Sequence, residues 1–289
     1  MSTDTPRLVC RGQGQPAEGP TWWAERKLLV WVDIGHCLVN LFNPQSGENR
    51  EITLPCPVGT AVPTTGNNLV CATRDGFMRL DVDTNEITPL TDPEGDQPDN
   101  RFNDGKAGPD GRLYAGTMAK NAGGAFYVLE RDAQTYRKLF DGVTCSNGLA
   151  WSADERLFYY IDTPTGRVDV FAFDKENGTL SNRRTCFEIP KDKGHPDGMC
   201  IDDEGMLWVA LWSGWGVRRY HPGTGEELAF IELPAQNVTC PAFGGSDFKT
   251  LYISTALAPE SEREKQPESG GIFAVDLEVS GPAPFLFDG

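Results

Sequence analysis

Apolar residues in this chain fall in short alternating runs broken by Gly, Pro, Asn and Asp, and no long stretch keeps the 3.6-residue period of an amphipathic helix. The pattern predicts an all-β protein. One kind of run recurs: 28–34 (LLVWVDI), 68–73 (NLVCAT), 112–117 (RLYAGT), 156–162 (RLFYYID), 206–211 (MLWVAL) and 250–255 (TLYIST). Aligned on Leu29, Val70, Tyr114, Phe158, Trp208 and Tyr252, these runs stand 41, 44, 44, 50 and 44 residues apart. A second strand-like run follows each one, at 37–42, 76–81, 125–129, 168–173, 217–220 and 271–276, and most units reach a third. With the strand preceding each landmark, a unit holds about four strands, and that count at a period of ~40–50 residues is the arithmetic of a propeller. The expected fold is a six-bladed β-propeller of four-stranded antiparallel blades around a central channel, one domain over residues 1–289. A sandwich of six hairpins is the competing architecture. The polar segment 258–270 reads as a solvated loop inside the last unit.

Composition narrows the partners. The 289 residues carry a net charge of −16, which would repel phosphate backbones and anionic lipid surfaces, so neither nucleic acid nor membrane is expected. The longest apolar runs are about a quarter of the ~20 residues a membrane-spanning helix needs, and residues 1–20 show no secretory h-region. The eight cysteines are dispersed, with no CxxC pair, which favours buried reduced thiols and a cytoplasmic protein.

The repeat also points to a site. Eleven residues before each landmark stand Glu18, Gly59, Asn103, Asn147, Asp197 and Pro241. In a propeller, equivalent positions on the innermost strands ring the axis, so these six are expected to face one another. Singly, Asn-Gly and Asp-Gly would be turn signals. Here four of the six positions bear side-chain oxygens, and two of those are carboxylates that would repel one another in an apolar channel without a cation between them. An all-oxygen set suits a hard ion. Calcium is expected, with magnesium, manganese or zinc as alternatives, and nothing suggests a thiolate site.

The motifs AEGP (17–20), RFNDGK (101–106), GTM (116–118), SNGLAWS (146–152), YYID (159–162), SNRR (181–184), PDGMCID (196–202), FGG (243–245) and GGIF (270–273) jointly resemble the gluconolactonase/regucalcin family of sugar lactone hydrolases, over essentially the whole chain. That resemblance implies one divalent ion held by Glu18, Asn147 and Asp197, with Asp197 also the general base. It further implies substrate contact by Arg101 and Asn103, and hydrolysis of a gluconolactone-type lactone to its aldonate. Some relatives carry an acidic pair after GTM that touches sugar hydroxyls; this chain has Lys120 and Asn121 there, so Asn121 is carried as a substrate contact and the preferred sugar is left open.

In this reading the ion acts as a Lewis acid on the lactone carbonyl, Asp197 accepts the proton of water, and Arg101 holds substrate oxygens. His195, Trp212 and Trp215 are candidate pocket residues, whereas Asp104 and Asp202 read as turn or capping groups. The expected partner is a small-molecule sugar lactone, and the expected assembly a monomer or weak oligomer. Two alternatives stand beside this one: phosphotriester hydrolysis at the same ion, and a non-catalytic calcium-binding propeller.

Overall fold

The structure, a computed structural model, describes residues 5–289. Their strands form six four-stranded antiparallel sheets, as the repeat predicts. Five sheets are built from consecutive strands and begin with the innermost ones: Ala17–Trp23, Val58–Pro63, Arg101–Ala107, Ser146–Trp151 and His195–Ile201. The landmark runs are the second strands, from Leu28–Asp33 in blade one to Thr250–Thr255 in blade six. Blade six is assembled differently. Its strands Val238–Gly244, Thr250–Thr255 and Ile272–Asp276 are completed by Arg7–Cys10 from the other end of the chain, so the ring closes through hydrogen bonds between the first and last strands.

The dense apolar text of the second strands follows from this architecture. Each blade is covered on both faces, and six hydrophobic clusters lie one at each boundary between neighbouring blades. Alternation still operates, but it sends adjacent side chains to different cores. Val30 and Val32 pack toward blade two, whereas Leu29 and Trp31 pack toward blade six. Fully burying one such side chain contributes about 1.5–3 kcal/mol, so these boundaries carry most of the ring's cohesion.

Beyond the last strand, the chain crosses one end of the channel. Asp203 N–H donates to Ser280 O, Gly281 N–H donates to Phe248 O, and Phe287 is buried between blades two and three. The segment 258–270 is only partly the solvated loop expected: Gln266 and Ser269 are buried, and the Gln266 side chain accepts from Gln236 N–H at 2.7 Å. All eight cysteines are unpaired, five buried and three half-buried. Among the described residues no helix is long and apolar enough to cross a membrane.

Candidate active site at one end of the channel

All six innermost strands break register near their starts: between Glu18 and Thr21, Val58 and Thr60, Phe102 and Gly105, Ser146 and Leu149, Pro196 and Met199, and Val238 and Cys240. A bulge adds a residue, twists the strand and re-aims its side chains. Glu18 borders its bulge, while Asn103, Asn147 and Asp197 each begin theirs. The expected ring is therefore corrected at one place. Pro241 pairs with Ile253 in regular ladder, and Thr239 occupies the sixth bulge, where its hydroxyl donates to Ala17 O at 2.7 Å. Glycine suits the bulges because neighbouring strands come very close: a Cβ on Gly198 would lie 2.4 Å from Cys240 Sγ, and one on Gly148 would lie 2.8 Å from Met199 N.

A hydrogen-bonded chain crosses blades three, four and five. The Arg101 guanidinium donates to Asn103 Oδ1 at 2.7 Å, and Asn103 Nδ2 donates to Ser146 O at 2.7 Å and to Asn147 Oδ1 at 3.0 Å. Asn147 Nδ2 in turn donates to Thr163 Oγ1 at 2.7 Å, and Thr163 donates to Pro196 O at 2.8 Å. The last link sets the orientation of the others. A carbonyl only accepts, so the Thr163 hydroxyl spends its proton on Pro196 and must accept from Asn147; that turns the Asn147 amide oxygen away from Thr163 and toward Asn103.

Beside this chain stand acidic groups that are only partly compensated. Glu18, Asp104 and Asp197 are all buried. Glu18 is pushed up to about 8, first by burial and then by the charge of Asp104, against the Gly19 N–H and Arg101. Asp197 is driven well above the ordinary carboxylate range by burial, then by Glu18 and Asp104. Asp104 is also raised by burial, with Lys106 opposing. Asp197 Oδ1 and Asp104 Oδ2 have no hydrogen-bond partner. Burial pulls the Arg101 guanidinium down from its usual value, opposed by Cys145 and Glu18.

A divalent cation fits this arrangement. Two buried carboxyls, Asp197 with an orphaned oxygen and raised by the charge of Glu18, and an amide oxygen whose orientation is fixed together offer a donor set of hard oxygens. Among the described residues no three His, Cys, Asp or Glu side chains form a metal cluster, so a third protein ligand would come from outside those residue types, as Asn147 does. Cys145 lies 3.6 Å from Asn147 Nδ2, but burial, with Asp197 second, pushes its thiol up to about 12, so it offers no thiolate.

The remaining candidates are dispersed. Asn121 is exposed in a 3-10 turn, Lys120–Ala122, and makes no hydrogen bond to the cluster. His195 is exposed at the start of its strand, opposite Trp212, and Trp215 is 40% exposed. Asp202 is the turn group expected, accepting from Glu204 and Met206 N–H. Asp104 is not: it sits in the blade-three bulge, 3% exposed, its only hydrogen bond coming from Gly105 N–H at 2.7 Å. Thr163 carries no repeat-equivalent signal in the sequence; it opens a 3-10 turn, Thr163–Thr165, and its position directly after YYID is the one hint of it.

Residues 16–257 match the family model described as the SMP-30/gluconolactonase/LRE-like region. The chain is 37% identical to regucalcin of Xenopus laevis over 283 residues, covering 94% of each. It is 38% identical over 278 residues to YvrE of Bacillus subtilis, provisionally named a sugar lactone lactonase, covering 94% of this chain and 95% of the other. A regucalcin structure from Agrobacterium tumefaciens, described as a calcium-binding protein, superposes with a TM-score of 0.93 at 27% identity, covering 98% of this chain and 97% of that one.

Proposed function

The chain belongs to the SMP-30/gluconolactonase/LRE-like family, and on that premise we propose that it is a divalent-cation-dependent hydrolase opening a gluconolactone-type sugar lactone to its aldonate. Membership supports lactone hydrolysis in general. The observation that carries the finer reading is Asp197: a buried carboxylate with one oxygen unpartnered, beside Glu18 and the oriented amide of Asn147. Glu18, Asn147 and Asp197 would hold the ion, and calcium is favoured by the oxygen-only donors and by the calcium-binding description of the Agrobacterium relative. When bound, such an ion keeps both carboxylates ionised and polarises the lactone carbonyl as a Lewis acid.

The chain's own residues account for the rest. Asp197 accepts a proton at Oδ1 from the attacking water, whose oxygen adds to the carbonyl carbon. The ester carbon–oxygen bond then breaks, the former ring oxygen takes up a proton to become a hydroxyl, and the carbonyl carbon leaves as a carboxylate. Arg101, tied to Asn103, would stabilise the negative charge that develops on substrate oxygens. Asn121, exposed beyond the cluster, would contact the sugar only at the rim.

The test is δ-gluconolactone hydrolysis by protein stripped with a chelator and then supplied with calcium, magnesium, manganese or zinc. Activity that vanishes on stripping and returns with one of these ions supports the proposal; undiminished turnover by metal-free folded protein rejects it. Metal binding with no turnover of any lactone would leave the non-catalytic calcium-binding reading in its place.

A further inference from the structure

The opposite end of the same channel holds a cavity of about 370 Å³, within the size range of small-molecule sites. All six innermost strands reach it with residues beyond their bulges, among them Thr21, Lys106, Trp151, Cys200 and Phe243, and the C-terminal segment adds Phe285 as a wall. Neither Glu18, Arg101, Asn103, Asn147 nor Asp197 lines it. Thr21 is three residues beyond Glu18 and Trp151 four beyond Asn147, so the two ends lie about 10 Å apart along the strands.

The lining is mostly apolar and aromatic, with Trp151 edge-on to Phe285 at 6.3 Å and Phe243 edge-on to Trp208. Its charges are unequal in availability. Asp202 is bound by Arg219 and Trp208, Asp203 by Ser280, and Glu155 by Lys175. Among the described residues Lys106 is the single cationic side chain in the lining; its charge opposes that of Asp104, but it makes no ion pair and one hydrogen bond, to Met199 O at 2.5 Å. An ammonium has three donors, which leaves two uncommitted beside an apolar chamber.

We propose that this cavity binds a small apolar or aromatic molecule bearing one acidic group, the body packed against Trp151, Phe243 and Phe285 and the carboxylate held by Lys106. A charge-assisted hydrogen bond in such surroundings is stronger than one in water and sets the orientation of the bound molecule. The cavity shares no lining residue with the proposed cation site, and Lys106, whose charge also opposes that of Asp104, is the electrostatic link between the two.

The experiment uses the full chain in chelator, with anilinonaphthalene sulfonate as an anionic fluorescent probe and N-phenylnaphthylamine as a neutral one of similar body. The wild type is expected to bind one sulfonate probe per chain, saturably, displaced by naphthoate and not by gluconolactone. Lys106→Met is expected to weaken the anionic probe by at least about tenfold while leaving the neutral probe unchanged, and retained neutral binding also reports an intact cavity. Phe285→Ala, on the C-terminal wall, is expected to weaken both probes and serves if the lysine variant fails to fold. Unsaturable binding, displacement by gluconolactone, equal affinity of Lys106→Met for the anionic probe, or full affinity of Phe285→Ala would each overturn the proposal.

Discussion

Asp197 lies near the start of one innermost strand and Asp202, five residues on, immediately follows its end; both are buried, yet their surroundings are opposite. Asp202 is fully occupied: Oδ1 accepts from Glu204 and Met206 N–H, and Oδ2 accepts from Trp208 Nε1 at 2.8 Å and Arg219 Nε at 2.7 Å. Asp197 has an oxygen with no partner and two further carboxyls, Glu18 and Asp104, as its charged company. Burial alone therefore does not mark a functional acid. A buried carboxylate with matched donors ties strands together, and one without them is costly unless something positive arrives.

The strongest break of this comparison is Asp197→Asn. It keeps the shape and removes both the base and an ion ligand, so kcat/KM for δ-gluconolactone should fall by roughly 10³-fold or more, while the melting temperature of the metal-free protein stays level or rises. A parallel fall in melting temperature and activity would show that Asp197 is structural like Asp202. The converse substitution, Asp202→Asn, leaves the Arg219 guanidinium without its buried partner and should cost about 2–4 kcal/mol in urea unfolding, with turnover per folded molecule retained.

The pH dependence sharpens the contrast. In metal-free protein Glu18 holds its proton up to about 8, whereas the unfolded chain releases it near 4.5, and Asp197 and Asp104 are shifted in the same direction. The native state thus binds more protons across that window, so stability falls as pH rises from about 4.5 toward 8, by an amount on the order of a few kcal/mol. Glu18→Gln should flatten that slope, and saturating calcium should reduce or reverse it; thermal melts between pH 5 and 8 read both. The smallest expected effect belongs to Thr163→Val, which frees the Asn147 amide to turn. It should lower kcat/KM roughly tenfold through weaker ion affinity, with little change in melting temperature and partial rescue at high calcium.

Much of the fold was legible because each blade repeats the same apolar second strand, and the two-sided burial of blades explains why that text is so dense. The fourth strand of blade six was not, since Arg7–Cys10 is short and lies far in sequence from its partner Ile272–Asp276. The site register was readable at Glu18, Asn103, Asn147 and Asp197 but slipped at Pro241. Counting back a fixed eleven residues assumes equal hairpins, whereas Tyr252 pairs with Ala242, ten residues away, and Leu29 pairs with Trp22, only seven away. Asp104 was hidden by its Asp-Gly text, which signals a turn when read locally and here lies inside a strand bulge. Thr163 acts through a hydrogen-bond chain between blades, a relation that no spacing encodes.

The central claim, that the partly compensated acids at one end of the channel form a cation site, is tested most directly by calorimetric titration of calcium into chelator-stripped protein at pH 8. The account predicts one ion bound per chain, lost in Asp197→Asn and kept in Asp202→Asn. Binding that survives Asp197→Asn unchanged, or no binding by the wild type of calcium or of any of the other three divalent ions, would contradict it.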